Sequence, residues 1–180
     1  MRPKVTLFGS SQARPGSAAY EAALEAGRLV GRAGFDLVNG GLGGVMEASA
    51  RGAREAGARV IGVTLGSFGK RANAFVDEER RAGDFWERTR VMLDLGDAVL
   101  VLPGGTGTLA EAAVAWEMLH KRQCEIKPLA LVGEFWRPLV TMMCPGPQAP
   151  AWCGGALRLA ADAAEAVRFF DEFFARPALA

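Results

Sequence analysis

VLVLPGGTGTLAE, residues 99–111, passes from an unbroken apolar run into a glycine-rich turn and then into helix-forming residues. Val99 to Leu102, extended back to Ala98, has the length and β-branched content of a buried strand. Pro103-Gly104-Gly105 stops it, and the pattern beyond predicts a helix from about Leu109 to Lys121. Glycines at such a turn let main-chain N–H groups crowd around an anion, and the helix that follows presents its positive end to the same point. Thr106 and Thr108 add hydroxyl donors there.

The same order recurs on either side. Val5 to Phe8 reads as a strand stopped by Gly9-Ser10-Ser11, followed by a helix from Ser17 to Arg32. Phe35 to Val38 reads as a strand ending at Asn39-Gly40-Gly41-Leu42-Gly43-Gly44, with a helix from about Gly44 to Ala56 behind it. Arg59 to Leu65 is a third strand. Residues 66–83 are polar, show no period and read as a long loop. Helical pattern returns from Asp84 to Leu95. Beyond the central stretch come a strand at Leu129 to Val132, a helix at Phe135 to Met143 and a loop over 144–155. A short strand at Ala156 to Leu159 and a helix at Ala163 to Phe174 close the chain. Alternating strands and helices, with strands that are apolar throughout, predict an α/β fold: a doubly wound parallel sheet with helices on both faces, in a single domain over 1–180. Such sheets bind ligands beyond the carboxyl ends of their strands. Three glycine clusters fall on that edge, which argues for a ligand rather than for ordinary turns.

Composition narrows the function. The 180 residues are 50% hydrophobic and 23% charged, enough for a packed core. A net charge of +1 offers no concentrated basic surface for nucleic acid. No apolar run reaches the roughly 20 residues of a membrane span, and no secretory signal pattern opens the chain. Cys124, Cys144 and Cys153 lack the paired spacing of a zinc site and read as reduced thiols, so a cytoplasmic location is the expectation. The single histidine, His120, makes no metal centre and is placed on the surface near a helix end.

Several motifs admit two readings. Gly105-x-Gly107-x-x-Ala110 matches a dinucleotide fingerprint, but the next strand ends at Val132 and lacks the acid that should follow about 20 residues on. There is no G-x-x-x-x-G-K-[ST] nucleotide loop. Thr108-x-x-Glu111 is a capping box, which by itself explains both residues. Asp84-x-x-Glu87 is a second one, and there capping is preferred. Arg88, early in a helix, opposes the helix dipole, so either a phosphate or carboxylate partner holds it or it is an exposed arginine. One helix, one strand and one loop separate Arg88 from Glu111, which returns the chain to the same edge of the sheet. Trp116 and the apolar face of 109–121 read as core or as a dimer face.

Gly40-Gly41-Leu42-Gly43-Gly44-Val45-Met46 resembles GGxxG[LV]M, and Pro103 to Glu111 resembles PGGxGTxxE. In this order the two motifs resemble those of the Lonely Guy (LOG) family, long labelled "possible lysine decarboxylase", over roughly residues 4–175. The resemblance implies a Rossmann-like fold, a homodimer, no metal and no nicotinamide cofactor. The implied activity is hydrolysis of the N-glycosidic bond of AMP or an N6-substituted, cytokinin-type AMP. The related molybdenum-cofactor carrier proteins share the glycine motifs, so a binding protein that cleaves nothing is the alternative. By the same resemblance Arg88 and Glu111 are catalytic, while Gly9, Ser10, Gly43, Gly44, Met46, Gly104, Gly105, Thr106, Gly107 and Thr108 bind the phosphate or nucleotide. The family's Met, His and Lys are replaced by Phe85, Trp86 and Thr89, its first adjacent acid by Ala110, and the first glycine of its GGGxxG by Asn39. Decarboxylation through pyridoxal phosphate would need a lysine at a glycine-rich strand end. Lys4, Lys70, Lys121 and Lys127 do not supply one.

Overall fold

Strand β1 (Lys4–Phe8) lies at the centre of the sheet and sends alternate side chains to opposite faces. Val5 and Leu7 enter one apolar core and Phe8 enters the other. The computed structural model describes residues 2–66, 69, 71–143 and 155–175. The elements follow as α1 (Ala18–Arg32), β2 (Asp36–Asn39), α2 (Val45–Glu55), β3 (Val60–Leu65), β4 (Glu78–Ala82), α3 (Phe85–Leu95) and β5 (Ala98–Val101). After these come α4 (Thr106–His120), β6 (Leu129–Val132), a 3-10 turn at Glu134–Trp136, α5 (Arg137–Met143), β7 (Leu157–Ala160) and α6 (Ala163–Ala175).

The seven strands are ordered β4-β3-β2-β1-β5-β6-β7 and every adjacent pair is parallel. Helices α1, α2 and α6 cover one face and α3, α4 and α5 the other. Burial on both faces is why the strands read as continuous apolar runs rather than as alternating ones. The expected doubly wound α/β fold is the one observed. Its winding reverses between β1 and β5, which opens a crevice at their carboxyl ends.

Two expectations need correction. Residues 78–82, read as part of a loop, form edge strand β4, paired with β3 from Ile61–Glu78 to Leu65–Ala82. Its sequence EERRA carries charges because an edge strand must deter further pairing. Arg59 and Arg80 hold Glu78 at 2.7 and 2.8 Å, and Thr64 donates to Glu79 at 2.7 Å. Helix α4 begins at Thr106, not at Leu109, with Gly105 as its N-cap residue. Thr108 therefore lies inside the first turn, and the capping box proposed for Thr108 and Glu111 does not form. Asp84 does cap α3, its carboxylate accepting from the Glu87 N–H at 2.8 Å, while Glu87 Oε2 accepts from the Gly83 N–H at 2.7 Å and not from Asp84 itself. Among the described residues no helix is long and apolar enough to cross a membrane. His120 is the half-buried last residue of α4 and Cys124 is a free, half-buried thiol. Cys144, Cys153, Lys70 and most of the 144–155 loop lie outside the described residues.

Candidate functional site

A cavity of about 310 Å³ occupies the crevice between β1 and β5. Gly9, Ser10, Ser11 and Gln12 enter its wall from the end of β1, Gly40 from the end of β2 and Met46 from α2. Phe85 and Arg88 come from α3, and Gly105, Thr106, Gly107, Thr108 and Glu111 from α4. One wall thus collects the exits of three strands, as the parallel winding requires.

The start of α4 presents unpaired main-chain N–H groups to the cavity. Leu109 N–H donates to Gly105 O at 2.9 Å, so the N–H groups of Thr106, Gly107 and Thr108 precede the first helical bond. No side chain caps them, and all three residues line the cavity. The positive end of the helix dipole points the same way.

Arg88 is buried, with 8% of its surface exposed. Its Nε donates to Val63 O at 2.7 Å, and its Nη2 donates to Gly40 O at 3.1 Å. Those bonds span β3, the glycine loop and α3, so the exposed-arginine reading fails. Gly40 makes the approach feasible, because a Cβ there would stand 1.6 Å from Arg88 Nη2. The remaining terminal nitrogen, Nη1, lies 3.7 Å from Glu111 Oε1. That separation is an ion pair without a hydrogen bond.

Glu111 is also buried, at 7% exposure. Burial pushes its carboxyl up to about 7, and the Arg88 charge holds it down only in part. Arg88 is shifted downward by the same burial, against the pull of Glu111. Both partners therefore lose more by leaving water than they regain from each other, which is the usual balance for a buried pair. Such tension is common where a group must change protonation during a reaction.

A stability consequence follows. Between about pH 4.5 and 7 the folded chain holds the Glu111 proton and the unfolded chain does not. Stability from this group is then greatest at low pH and falls as pH rises through that window. Glu111→Gln is expected to flatten the fall. Urea unfolding of both proteins at about pH 5 and about pH 8 measures it, and equal pH dependence of the two refutes the shift.

Of the expected site residues, the cavity brings together Gly9, Ser10, Met46, Arg88, Gly105, Thr106, Gly107, Thr108 and Glu111. Gly43, Gly44 and Gly104 do not reach its wall. Gly44 caps α2 with φ 69° and packs where a Cβ would meet Ser10 O at 2.6 Å. Gly104 leaves room for the Thr108 hydroxyl, which a Cβ would meet at 2.2 Å. Gly40, Ser11, Gln12 and Phe85 were not foreseen as wall residues. The two glycines Gly40 and Gly41 in succession were the available signal for the first, and adjacency to Ser10 for the next two.

Two asparagines shape the glycine loop. Asn39 is fully buried, donates to Met46 O at 2.8 Å and accepts from Gly41 N–H at 2.8 Å. Asn73 donates to Leu42 O at 2.8 Å from the segment before β4. The replacement of glycine by Asn39 is therefore a brace for the loop. Thr89 bonds back to Phe85 O at 2.9 Å and brings no cation to the wall. Lys127 spends its ammonium on Leu93 O and Gly96 O, at 2.7 and 2.6 Å. No lysine lines the cavity among the described residues.

Residues 2–125 match the SLOG cluster4 family. A protein of Rhodococcoides fascians named cytokinin riboside 5'-monophosphate phosphoribohydrolase is 32% identical over 145 residues, covering 76% of this chain and 72% of that one. The molybdenum cofactor binding protein of Rippkaea orientalis has the same fold, with a TM-score of 0.77 at 23% identity over 97% of this chain and 98% of that one. The Moco carrier protein of Chlamydomonas reinhardtii aligns with a TM-score of 0.75 at 25% identity, over 98% and 99% of the two chains. The glycine loops, the switch-point cavity and these matches converge, and the chain belongs to the LOG-like SLOG cluster4 family.

Proposed function

We propose that the chain is a nucleoside 5'-monophosphate phosphoribohydrolase, cutting the N-glycosidic bond of AMP or an N6-substituted, cytokinin-type AMP. The products are free base and ribose 5-phosphate. The observation that carries this reading is the buried Arg88–Glu111 pair, one helical turn from the open N–H groups of α4. In the proposed complex the 5'-phosphate sits on the N–H groups of Thr106, Gly107 and Thr108. Loss of the base leaves positive charge on the sugar, as in other glycoside hydrolyses. The Glu111 carboxylate faces that charge and takes a proton from the attacking water. Arg88, fixed by Val63 O and Gly40 O, orients Glu111. Turnover then rises with pH through about 7 as Glu111 ionises.

Incubation with AMP and chromatography of the products tests the reading. Adenine released by the wild type and not by Glu111→Ala supports it. The full-length fold match to molybdenum-cofactor proteins favours a second reading, in which the cavity carries a phosphorylated cargo intact. Tight AMP binding without adenine release would select that reading.

Gly105→Val probes the anion site under either reading. A Cβ at Gly105 meets open space, and its φ of −88° suits a β-branched residue, so the variant is expected to fold. Its methyl groups crowd the cradle and should weaken ribose 5-phosphate binding by about tenfold or more, given what charge-assisted bonds contribute. Calorimetry measures it, and unaltered affinity in a folded variant refutes the site.

The proposal includes a homodimer in the cytoplasm. The outer face of α4 with α5 forms an apolar groove of about 320 Å³, lined by Leu109, Trp116, Leu139 and Met143. Leu109 and Met143 are exposed there. Trp116→Glu should lower the mass measured by light scattering from dimer to monomer. A monomeric wild type, or a variant that stays dimeric, refutes it.

A further inference from the structure

We infer that Phe85 selects the ligand's base, by stacking its ring on a planar aromatic heterocycle, and that Trp86 braces that ring from outside. The inference rests on the cavity's binding a sugar phosphate, and holds whether or not the ligand is cleaved.

The cavity wall divides by chemistry. The exit of β1 and the start of α4 supply Ser10, Ser11, Gln12 and the open N–H groups, which suit phosphate and sugar hydroxyls. The α2 and α3 side supplies Met46 and Phe85, which suit a flat apolar surface. Among the described residues Phe85 is the wall's one half-buried aromatic ring, since Phe8 is 98% buried in the sheet core. Its main chain is also well fixed. It opens α3 directly after the Asp84 cap, and its carbonyl accepts from the Thr89 hydroxyl at 2.9 Å. Three residues on along the helix, Arg88 is anchored at both ends of its guanidinium, so ring and cation share one face.

Trp86 supplies the second observation. It is 67% exposed, an unusual placement for the largest side chain unless it has a surface role. Its ring meets Phe85 edge-on, with centroids 5.6 Å apart and planes at 76°. That geometry is the favourable one for aromatic pairs and limits rotation of Phe85. A base stacked on Phe85 would find a pre-set platform.

Calorimetric titration of the full chain with AMP and with ribose 5-phosphate tests this, because AMP carries the base where ribose 5-phosphate has only the anomeric hydroxyl. Every protein, the wild type at 85 and 86 included, carries Glu111→Gln to stop turnover. Phe85→Ala should weaken AMP by roughly tenfold to a hundredfold, the range for loss of one base–aromatic stack, with ribose 5-phosphate changed less than about twofold. Phe85→Leu keeps apolar volume without a ring face and should lose most of the same factor, while Phe85→Tyr retains wild-type affinity. Trp86→Ala should weaken AMP by a smaller factor and spare ribose 5-phosphate. Equal loss of both ligands in Phe85→Ala, or wild-type AMP affinity in a folded Phe85→Leu, overturns the inference. AMP that binds the wild type no better than ribose 5-phosphate does so as well, while leaving the anion site standing. A wild type that binds neither ligand overturns the underlying site reading and this inference together.

Discussion

Glu111→Gln lowers turnover of AMP by about two orders of magnitude or more, while the protein stays folded. Glutamine keeps the shape of the side chain and removes the negative charge, which is what an oxocarbenium-like transition state requires. Loss of a positioned acid–base or electrostatic group has effects of this size. Capping offers no competing explanation, since α4 starts at Thr106 with Gly105 as cap and the Glu111 carboxylate stands in the cavity wall beside Arg88. Arg88→Ala is expected to cost a comparable factor, because it both frees Glu111 to reorient and empties the contacts to Val63 O and Gly40 O. The double variant should cost less than the two single losses combined, as residues that act together do. Steady-state rates of adenine release on the four proteins decide it. Full activity in folded Glu111→Gln removes the catalytic assignment.

Gly40→Ala strikes the same pair from the opposite side. The new methyl would fall 1.6 Å from Arg88 Nη2, 2.8 Å from its Cζ and 2.6 Å from Met46 Sδ. All three neighbours are side-chain atoms, so the chain accommodates the methyl by moving the guanidinium. That breaks one or both carbonyl bonds and leaves a buried charge poorly held, with a stability loss of about 1–3 kcal/mol from overpacking. Displacement of a positioning group by about an ångström costs on the order of a hundredfold in rate. Thermal melts and adenine release should therefore both fall. Near-normal turnover in Gly40→Ala would mean that the position of Arg88 is immaterial to the reaction.

Much of the fold was legible because its signals are local. A parallel sheet covered on both faces makes each strand an apolar run, and Val5 to Phe8, Val60 to Leu65 and Ala98 to Val101 show it directly. Turns that need close backbone approach demand glycine, which marked the three strand exits that meet at the cavity. The family resemblance then singled out Glu111 in the second glycine motif and Arg88 in the helix before it, and the fold brings the two to 3.7 Å.

What stayed hidden depends on partners far along the chain. Strand β4 carries EERRA and has no apolar signature, because an edge strand is held by main-chain bonds to β3 and not by burial of its side chains. The true start of α4 was masked by Thr108, a good capping residue, because local preference cannot register an N-terminus left uncapped on a cavity. The environment of Arg88 was the least legible of all, since its carbonyl partners lie 25 and 48 residues away. Residue type and spacing therefore determined the class of the sheet, its winding and the edge where the cavity opens. Tertiary structure alone decided that Gly40 and Val63 hold Arg88 near Glu111, and that Gly44 and Gly104 give close approach to Ser10 and Thr108, because side-chain burial and long-range hydrogen bonds exist only once the strands are paired.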